Sequence, residues 1–384
     1  MLESALAAGI AAAGGDAYLA GVLPTPAASI LARRHGLDMA AVVSASHNPW
    51  HDNGIKFFGP SGVKLDDALE SRIESRVTGE PTPDAAETGR IRTLEGALED
   101  YLRALGTAFE LDLSGRKVLL DCANGAAFRA APLAFERLGA EVVAIADEPD
   151  GRNINQGCGA VHPELLAERI SDAGADIGFA FDGDADRVLA VDRKGNIRDG
   201  DEIVALIAAH LTRAGGLPGG VAVTVMTNFG FHTAMREAGI EVATTKVGDR
   251  HVIDALMERE WELGGEQSGH LIWTEFAPTG DGIAAALLLT RALEGGDLAD
   301  AVAFEKLPQA LVNVELADRE ALDGATELWS AVKAEEAALE GRGRVLVRPS
   351  GTEPVVRLMV EAPSAAECEQ VLARLVDVAG RELS

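Results

Sequence analysis

One feature constrains the fold of this chain more than any other. Short Val- and Ile-rich runs alternate, over nearly the whole length, with longer Ala/Leu-rich stretches of helical period. Clear apolar runs are Lys117 to Cys122, Glu141 to Ala146, Val221 to Thr227 and Arg344 to Val347. Between them lie segments such as Asp201 to Thr212, where Glu202 falls in a first turn and suits the helix dipole. Strands that each have a covering helix are the pattern of α/β units on parallel sheets. At 384 residues the chain exceeds what one hydrophobic core serves, and two to four domains are predicted.

Breaks in the pattern place the boundaries. Gly79 to Thr93, with two prolines and little periodicity, reads as a loop ahead of a helix over Leu94 to Leu105. Hairpin chemistry at Val191 to Asn196 closes a second α/β unit, a third strand-helix series runs from Gly200 to about Glu294, and Pro308 opens the last segment. That segment reads strand, helix (Ala325 to Leu339), strand, hairpin strand, helix (Ala365 to Ala379). The expected domains are 1–96, 97–196, 197–306 and 307–384. The first three are of similar α/β design with mainly parallel mixed sheets, and the fourth is a smaller α+β domain.

The balance of 34 basic against 61 acidic side chains gives a net charge of −27, which repels phosphate backbones and anionic lipid. Nucleic acid and membrane surfaces are poor partners for such a chain. No apolar run approaches a membrane span, and Met1-Leu2-Glu3 lacks the basic start of a signal peptide, so a cytoplasmic protein is expected. Cys122, Cys158 and Cys368 lie far apart and never in a C-x-x-C pair. They read as buried thiols rather than as a disulfide framework or a zinc site.

Four loops carry candidate chemistry. Asp182, Asp184 and Asp186 alternate just beyond an apolar strand. Three like charges so close need a cation, and hard oxygen ligands suit Mg²⁺ or Ca²⁺. An EF-hand loop is rejected, because Arg187 and Arg193 stand where that loop needs Gly and Glu. Ser44 to Pro49, following the strand Ala40 to Val43, puts Ser46 and His47 on a loop at a strand's carboxyl end. Taken alone that hexapeptide is also an ordinary Ser/Asn-Pro turn. The Asp52-Asn53-Gly54 turn, however, brings Lys56 back toward it. Gly264 to His270 sets Glu266, Ser268 and His270 among glycines that allow close backbone approach, which suits a polyhydroxylated ligand or a glycine hinge. Arg348, Ser350, Gly351 and Thr352, with Arg357, offer guanidinium groups, hydroxyls and a glycine turn, the chemistry of a phosphate cradle or of a surface Ser-Gly turn. Neither a Walker A loop nor a G-x-S-x-G elbow occurs. Gly280-x-Gly282-x-x-Ala285 satisfies a dinucleotide fingerprint but follows a poor strand, and reads as a helix start with Asp281 near its positive end.

Taken together and in this order, the four loops resemble those of the α-D-phosphohexomutase family, over some three hundred residues. Within that family, the Gly265-Glu-Gln-Ser-Gly-His270 form, the Val247-Gly-Asp-Arg250 turn and the Ser350-Gly-Thr-Glu-Pro354 loop resemble the amino-sugar branch. Relatives acting on mannose and glucose phosphates usually carry Met where Gln267 stands. The resemblance implies domains arranged around a central cleft and a Mg²⁺-dependent interconversion of glucosamine 6-phosphate and glucosamine 1-phosphate. It makes Ser46 the phosphoserine, and Asp182, Asp184, Asp186 and the Ser46 phosphate the metal ligands. His47 lies beside the phosphoserine, and Lys56 and His270 are near the transferred proton. Glu266 and Ser268 would hold sugar hydroxyls, and Arg348, Ser350, Gly351, Thr352 and Arg357 the distal phosphate, with Arg187 and Arg250 as further substrate contacts. A phosphorylated hexosamine is the implied substrate and a sugar bisphosphate the activator, and a homodimer is compatible with the family.

One departure stands out. Family members normally begin with a strand and a Gly-Thr-Asp-Gly-x-Arg-Gly loop, whereas this chain starts within the helix that follows them. A first domain without an early strand is expected to have an open sheet edge, to be the least stable and to lower activity.

Overall fold

The computed structural model describes residues 1–77, 86–315, 321–349 and 355–383. Its internal contacts divide the chain into two units, Met1–Met226 with Ala238–Ala303, and Thr227–Glu237 with Phe304–Ser384.

The first unit opens with α1 (Leu2–Ala12), β1 (Ala17–Leu19), α2 (Thr25–His35), β2 (Ala40–Ser44), β3 (Gly54–Phe58), α3 (Asp67–Val77) and β4 (Ile91–Thr93). β1 and β4 pair in parallel, but β2 and β3 form a separate antiparallel pair with Val42 opposite Lys56. Parallel and antiparallel pairing thus occur together in this segment, within the mixed design expected. The 45–53 loop is too short for a crossover and returns the chain alongside β2, which only an antiparallel partner permits. β4 lies in what the sequence reads as a linker, and its pairing with β1 supplies the order that its own pattern lacks. β2 is only partly buried, and among the described residues its second edge carries no strand.

Next come α4 (Ala97–Ala108), β5 (Lys117–Asp121), α5 (Ala127–Arg137), β6 (Glu141–Ile145), α6 (Glu164–Ala173), β7 (Ile177–Phe181), β8 (Val188–Asp192) and β9 (Ile197–Arg198). Gly96, at φ 76, delays the start of α4 relative to the expected Leu94. The sheet order is β6-β5-β7-β8-β9, parallel through β6, β5 and β7 and antiparallel beyond. β7 and β8 are buried at every residue, as expected of strands covered on both faces.

The series continues with α7 (Gly200–Arg213), β10 (Gly220–Thr224), α8 (Phe229–Glu237), β11 (Glu241–Thr245), α9 (Asp249–Arg259), β12 (Leu263–Gly265), β13 (Leu271–Trp273) and α10 (Gly282–Ala292), of which α8 belongs to the second unit. Asp199 and Glu202 close a capping box at the start of α7. The sheet order is β11-β10-β12-β13, and β12 and β13 form a hairpin whose tip is Glu266 to His270. Among the described residues no helix is long and apolar enough to cross a membrane.

The second unit adds β14 (Gln309–Glu315), α11 (Ala321–Gly324), α12 (Thr326–Leu339), β15 (Arg344–Pro349), β16 (Val355–Glu361) and α13 (Ala365–Glu382). Its antiparallel sheet, ordered β14-β16-β15, shares a core with the helices through Leu328, Val332, Val356, Leu358, Leu372 and Leu375. Buried Glu361 joins α8 to this sheet: it pairs with Arg344 at 2.6 Å and accepts hydrogen bonds from Asn228 and the Phe229 amide. All three cysteines are buried free thiols.

Two measurements follow from this architecture. The β2 amides are expected to exchange at least about tenfold faster than those of β5, β7 and β10, and equal protection would contradict the open edge. In the second unit, burial and then the Arg344 charge push His232 down to about 4. The folded unit therefore favours neutral imidazole, and the stability it contributes is full above about pH 6.5 and lost as pH falls toward 4. Acidification through this window is expected to raise hydrogen exchange in α12 and α13. His232→Gln should remove most of that rise, and an unchanged rise in the variant would point to another group.

Candidate active site

β7 ends immediately before Asp182, so its carboxyl end delivers the first acidic group, and the turn into β8 carries the other two. Asp182, Asp184 and Asp186 are all buried, with one oxygen from each lying within 4.8 Å of the others. Ala185, in the left-handed region at φ 59, gives the turn its curvature. The Arg187 amide donates to Asp182 Oδ1 at 3.1 Å, and the Thr25 amide donates to the Asp184 carbonyl at 2.8 Å. Thr25 Oγ1 also donates to Asp184 Oδ2 at 2.7 Å. Lys56, from β3, bridges Asp184 Oδ2 at 2.7 Å and Asp186 Oδ2 at 2.8 Å. His270 Nδ1 lies 3.5 Å from Asp186 Oδ1.

The charges are strongly coupled. Burial, then Asp186 and Asp184, push Asp182 well above the usual carboxylate range. Burial would also raise Asp186, but His270 and Lys56 outweigh it and hold that group well below the usual range. Burial opposes charge on Lys56 and His270 too, yet the carboxylates keep both raised. Asp182 Oδ2, Asp184 Oδ1 and Asp186 Oδ1 are buried without a hydrogen-bond partner. Three such oxygens, one from each side chain, fit a hard divalent cation. The triad is therefore able to hold a metal. Asp184→Asn is expected to weaken divalent-cation binding by at least about tenfold in calorimetric titration, and unchanged affinity would place the cation elsewhere.

The serine loop lies directly on this turn. A Cβ at Gly183 would stand 2.5 Å from the Ser46 carbonyl oxygen, so only glycine lets the two loops touch. Asn155 Nδ2 donates to the Ser46 carbonyl at 2.7 Å and to the Asn48 carbonyl at 2.9 Å. Ser46 is in the left-handed region at φ 54, an unusual conformation for serine, and its Oγ lies 3.4 Å from His47 Nδ1. Burial, then the Arg187 charge, push the His47 imidazole down.

At the hairpin tip, Glu266 accepts from the Gly248 amide at 3.0 Å, Ser268 is exposed and His270 is buried. Gln267 turns toward Asp199, donating at 3.3 Å. Arg250 donates to the Leu65 carbonyl and pairs with Asp67, so its guanidinium is held by the first segment. Beside His270 is a cavity of about 470 Å³, lined also by Lys64, Asp249 and Arg250. In the second unit Arg348 and Arg357 are direct cross-strand partners on β15 and β16. Burial, then the Arg357 charge, lower Arg348. Ser350, Gly351 and Thr352 lie outside the described residues.

The structure thus brings Ser46, His47, Lys56, the three aspartates, Arg187 and His270 together in the first unit. Sequence reading missed Thr25 and Asn155, which hold the aspartate turn and the serine loop. The only hint to Thr25 was its place before Pro26 at a helix start.

Consecutive segments match the phosphoglucomutase/phosphomannomutase models: α/β/α domain I over residues 1–83, domain II over 99–195, domain III over 199–307 and the C-terminal domain over 311–378. The chain is 50% identical to a phosphoglucosamine mutase of Desulforudis audaxviator, covering 98% of this chain and 86% of that protein. It is 49% identical to the phosphoglucosamine mutase of Moorella thermoacetica, with 99% and 87% covered. A crystal structure of a phosphoglucomutase/phosphomannomutase family protein from Burkholderia thailandensis superposes with a TM-score of 0.81 at 27% identity, covering 99% of this chain and 86% of that one.

Proposed function

The chain belongs to the phosphoglucomutase/phosphomannomutase family, and from that premise we propose that it interconverts glucosamine 6-phosphate and glucosamine 1-phosphate through a phosphoserine at Ser46. The observation that carries the reading is the seating of the strained Ser46 loop on a buried carboxylate triad already bridged by Lys56. Identity near 50% to phosphoglucosamine mutases supports the amino sugar as substrate.

A sugar phosphate cannot hand its own phosphoryl group across the ring. Ser46 therefore gives its phosphoryl to the free hydroxyl, O1 or O6: the new P–O bond forms as the bond to Ser46 Oγ breaks, the hydroxyl's proton ends on Ser46 Oγ, and a hexosamine bisphosphate forms. After the bisphosphate turns over, Ser46 takes the other phosphoryl and the hydroxyl at that end regains a proton. Lys56 and His270, kept protonated by the aspartates, stand near the exchanged proton and place positive charge beside the transfer, and His47 and Arg187 flank the serine. Mg²⁺ held by Asp182, Asp184, Asp186 and a phosphate oxygen on Ser46 would supply charge neutralisation in the loose transition state. Glu266 and Ser268 receive the sugar hydroxyls, which tolerate a flipped ring. Arg348, Ser350, Gly351, Thr352 and Arg357 take the distal phosphate, and Arg250 supports the approach from the cavity wall. A sugar bisphosphate would charge Ser46 initially. Under this reading the enzyme is cytoplasmic and its product feeds UDP-N-acetylglucosamine synthesis.

Ser46→Ala is expected to abolish turnover in a coupled assay while leaving the folding transition intact, with the phosphoryl label of the parent chain mapping to Ser46. Label on Ser44 or Ser350 would remove the assignment. Equal or better kcat/KM with glucose 1-phosphate would assign the chain to glucose or mannose phosphates instead.

A further inference from the structure

The Gly280-Asp281-Gly282 run opens α10 as a helix start, with Asp281 as its N-cap, rather than a dinucleotide site. We propose that this turn is the positioning element of the active site: Gly280 seats the His270 ring and Gly282 seats the aspartate loop. The inference rests on the roles given above to His270 and to Asp182, Asp184 and Asp186.

Neither glycine lies in the left-handed region, so backbone conformation does not explain them. Space does. A Cβ on Gly280 would stand 2.3 Å from Nε2, 2.4 Å from Cε1 and 2.7 Å from Cδ2 of His270. The imidazole is therefore laid against bare backbone. His270 is buried, and its Nδ1 faces Asp186, so a ring pushed from behind moves relative to that carboxylate. A Cβ on Gly282 would stand 2.5 Å from the Arg187 carbonyl oxygen and 3.0 Å from that of Ala185, while the Gly282 amide donates to the Ala185 carbonyl at 3.0 Å. Ala185 and Arg187 flank Asp186, so the second glycine carries the metal turn.

Asp281 holds the two glycines in place. Its amide donates to the Leu271 carbonyl at 3.1 Å, and its carboxylate accepts from the Ala284 amide at 2.9 Å. The Tyr101 hydroxyl, fully buried on α4, donates to the same carboxylate with both oxygens at 3.0 Å. Backbone bridges between Ile272 and Gly280 and between Arg187 and His270 complete the frame. One turn thus sets two parts of the chemistry from behind without touching substrate. An outer contact of this kind is worth about 10- to 100-fold in metal affinity or rate.

The test compares Gly280→Ala, Gly282→Ala, Asp281→Asn and Asp281→Ala in the full chain. The readouts are kcat, KM for glucosamine 6-phosphate, Mg²⁺ affinity by calorimetry and the His270 imidazole signals by NMR. Gly280→Ala is expected to shift the His270 signals and lower kcat at least about tenfold, with KM and Mg²⁺ affinity within about twofold. Gly282→Ala is expected to weaken Mg²⁺ binding at least about tenfold. Asp281→Asn, which keeps an acceptor for Ala284 and Tyr101, should recover most of what Asp281→Ala loses. Unshifted His270 signals in folded Gly280→Ala together with unchanged Mg²⁺ affinity in Gly282→Ala would overturn the proposal. Should the glycine variants not fold, Asp281→Ala with parental ring signals and Mg²⁺ affinity overturns it equally. A parent chain without mutase turnover whose variants still show these shifts would leave the positioning role standing and remove the functional reading.

Discussion

Three carboxylates buried within one turn repel one another, and the first unit is arranged around that repulsion. At an effective dielectric of about 20, unit charges about 4 Å apart interact by about 4 kcal/mol, so the triad folds only if donors and cations are brought to it. Most of them come from distant stretches of chain. Thr25 arrives at the start of α2, Lys56 on β3, the Arg187 amide from the turn itself, and His270 at the end of a hairpin. None of these segments satisfies the triad alone, so the site and the tertiary assembly of the unit are the same set of interactions. Asp182 Oδ2 and Asp184 Oδ1 remain without a hydrogen-bond partner, and one oxygen from each of the three carboxylates lies within 4.8 Å of the others, an arrangement that fits a divalent cation.

Much of this is legible in the sequence, and the reasons are physical. β5, β6, β10 and β15 are short apolar runs, and period alone located them to within a few residues. The aspartate turn was legible because carboxylates at alternate positions beyond a buried strand have few structural uses. Asp281 as a helix cap was legible from its charge at the start of an apolar helix. What period could not show was pairing across distance. β4 is a three-residue strand held by β1, and no local pattern marks it. β3 read only as a turn returning a lysine, because its antiparallel partner is defined by loop length rather than by composition. Thr25 and Asn155 carry no signature, since a threonine at a helix start and an asparagine in a loop are ordinary residues until their partners are known. Gln267 illustrates the converse: it stands in a loop read for ligand contact, yet its side chain turns to the cap of α7.

The second unit shows a different economy of charge. Arg344 and Glu361 bind one another and the start of α8, whereas Arg348 and Arg357 face each other across two strands with like charge. A like-charge cross-strand pair is unfavourable unless an anion lies between or beside the two groups. The sheet that carries this pair is anchored by an apolar core that includes Leu328, Val356 and Leu375.

Backbone strain is concentrated where the loops meet. Ser46, Ala123, Asn124, Asn155 and Ala185 all have positive φ, and hydrogen bonds link Asn155 both to the Ser46 carbonyl and to Ala123. A left-handed serine costs roughly 1–2 kcal/mol relative to glycine at the same angles. Thermodynamic optimisation alone would therefore favour glycine at position 46. A chain rebuilt for thermal endurance by replacing strained residues would gain stability at this point and, under the role proposed for Ser46, lose its phosphoryl carrier in the same step.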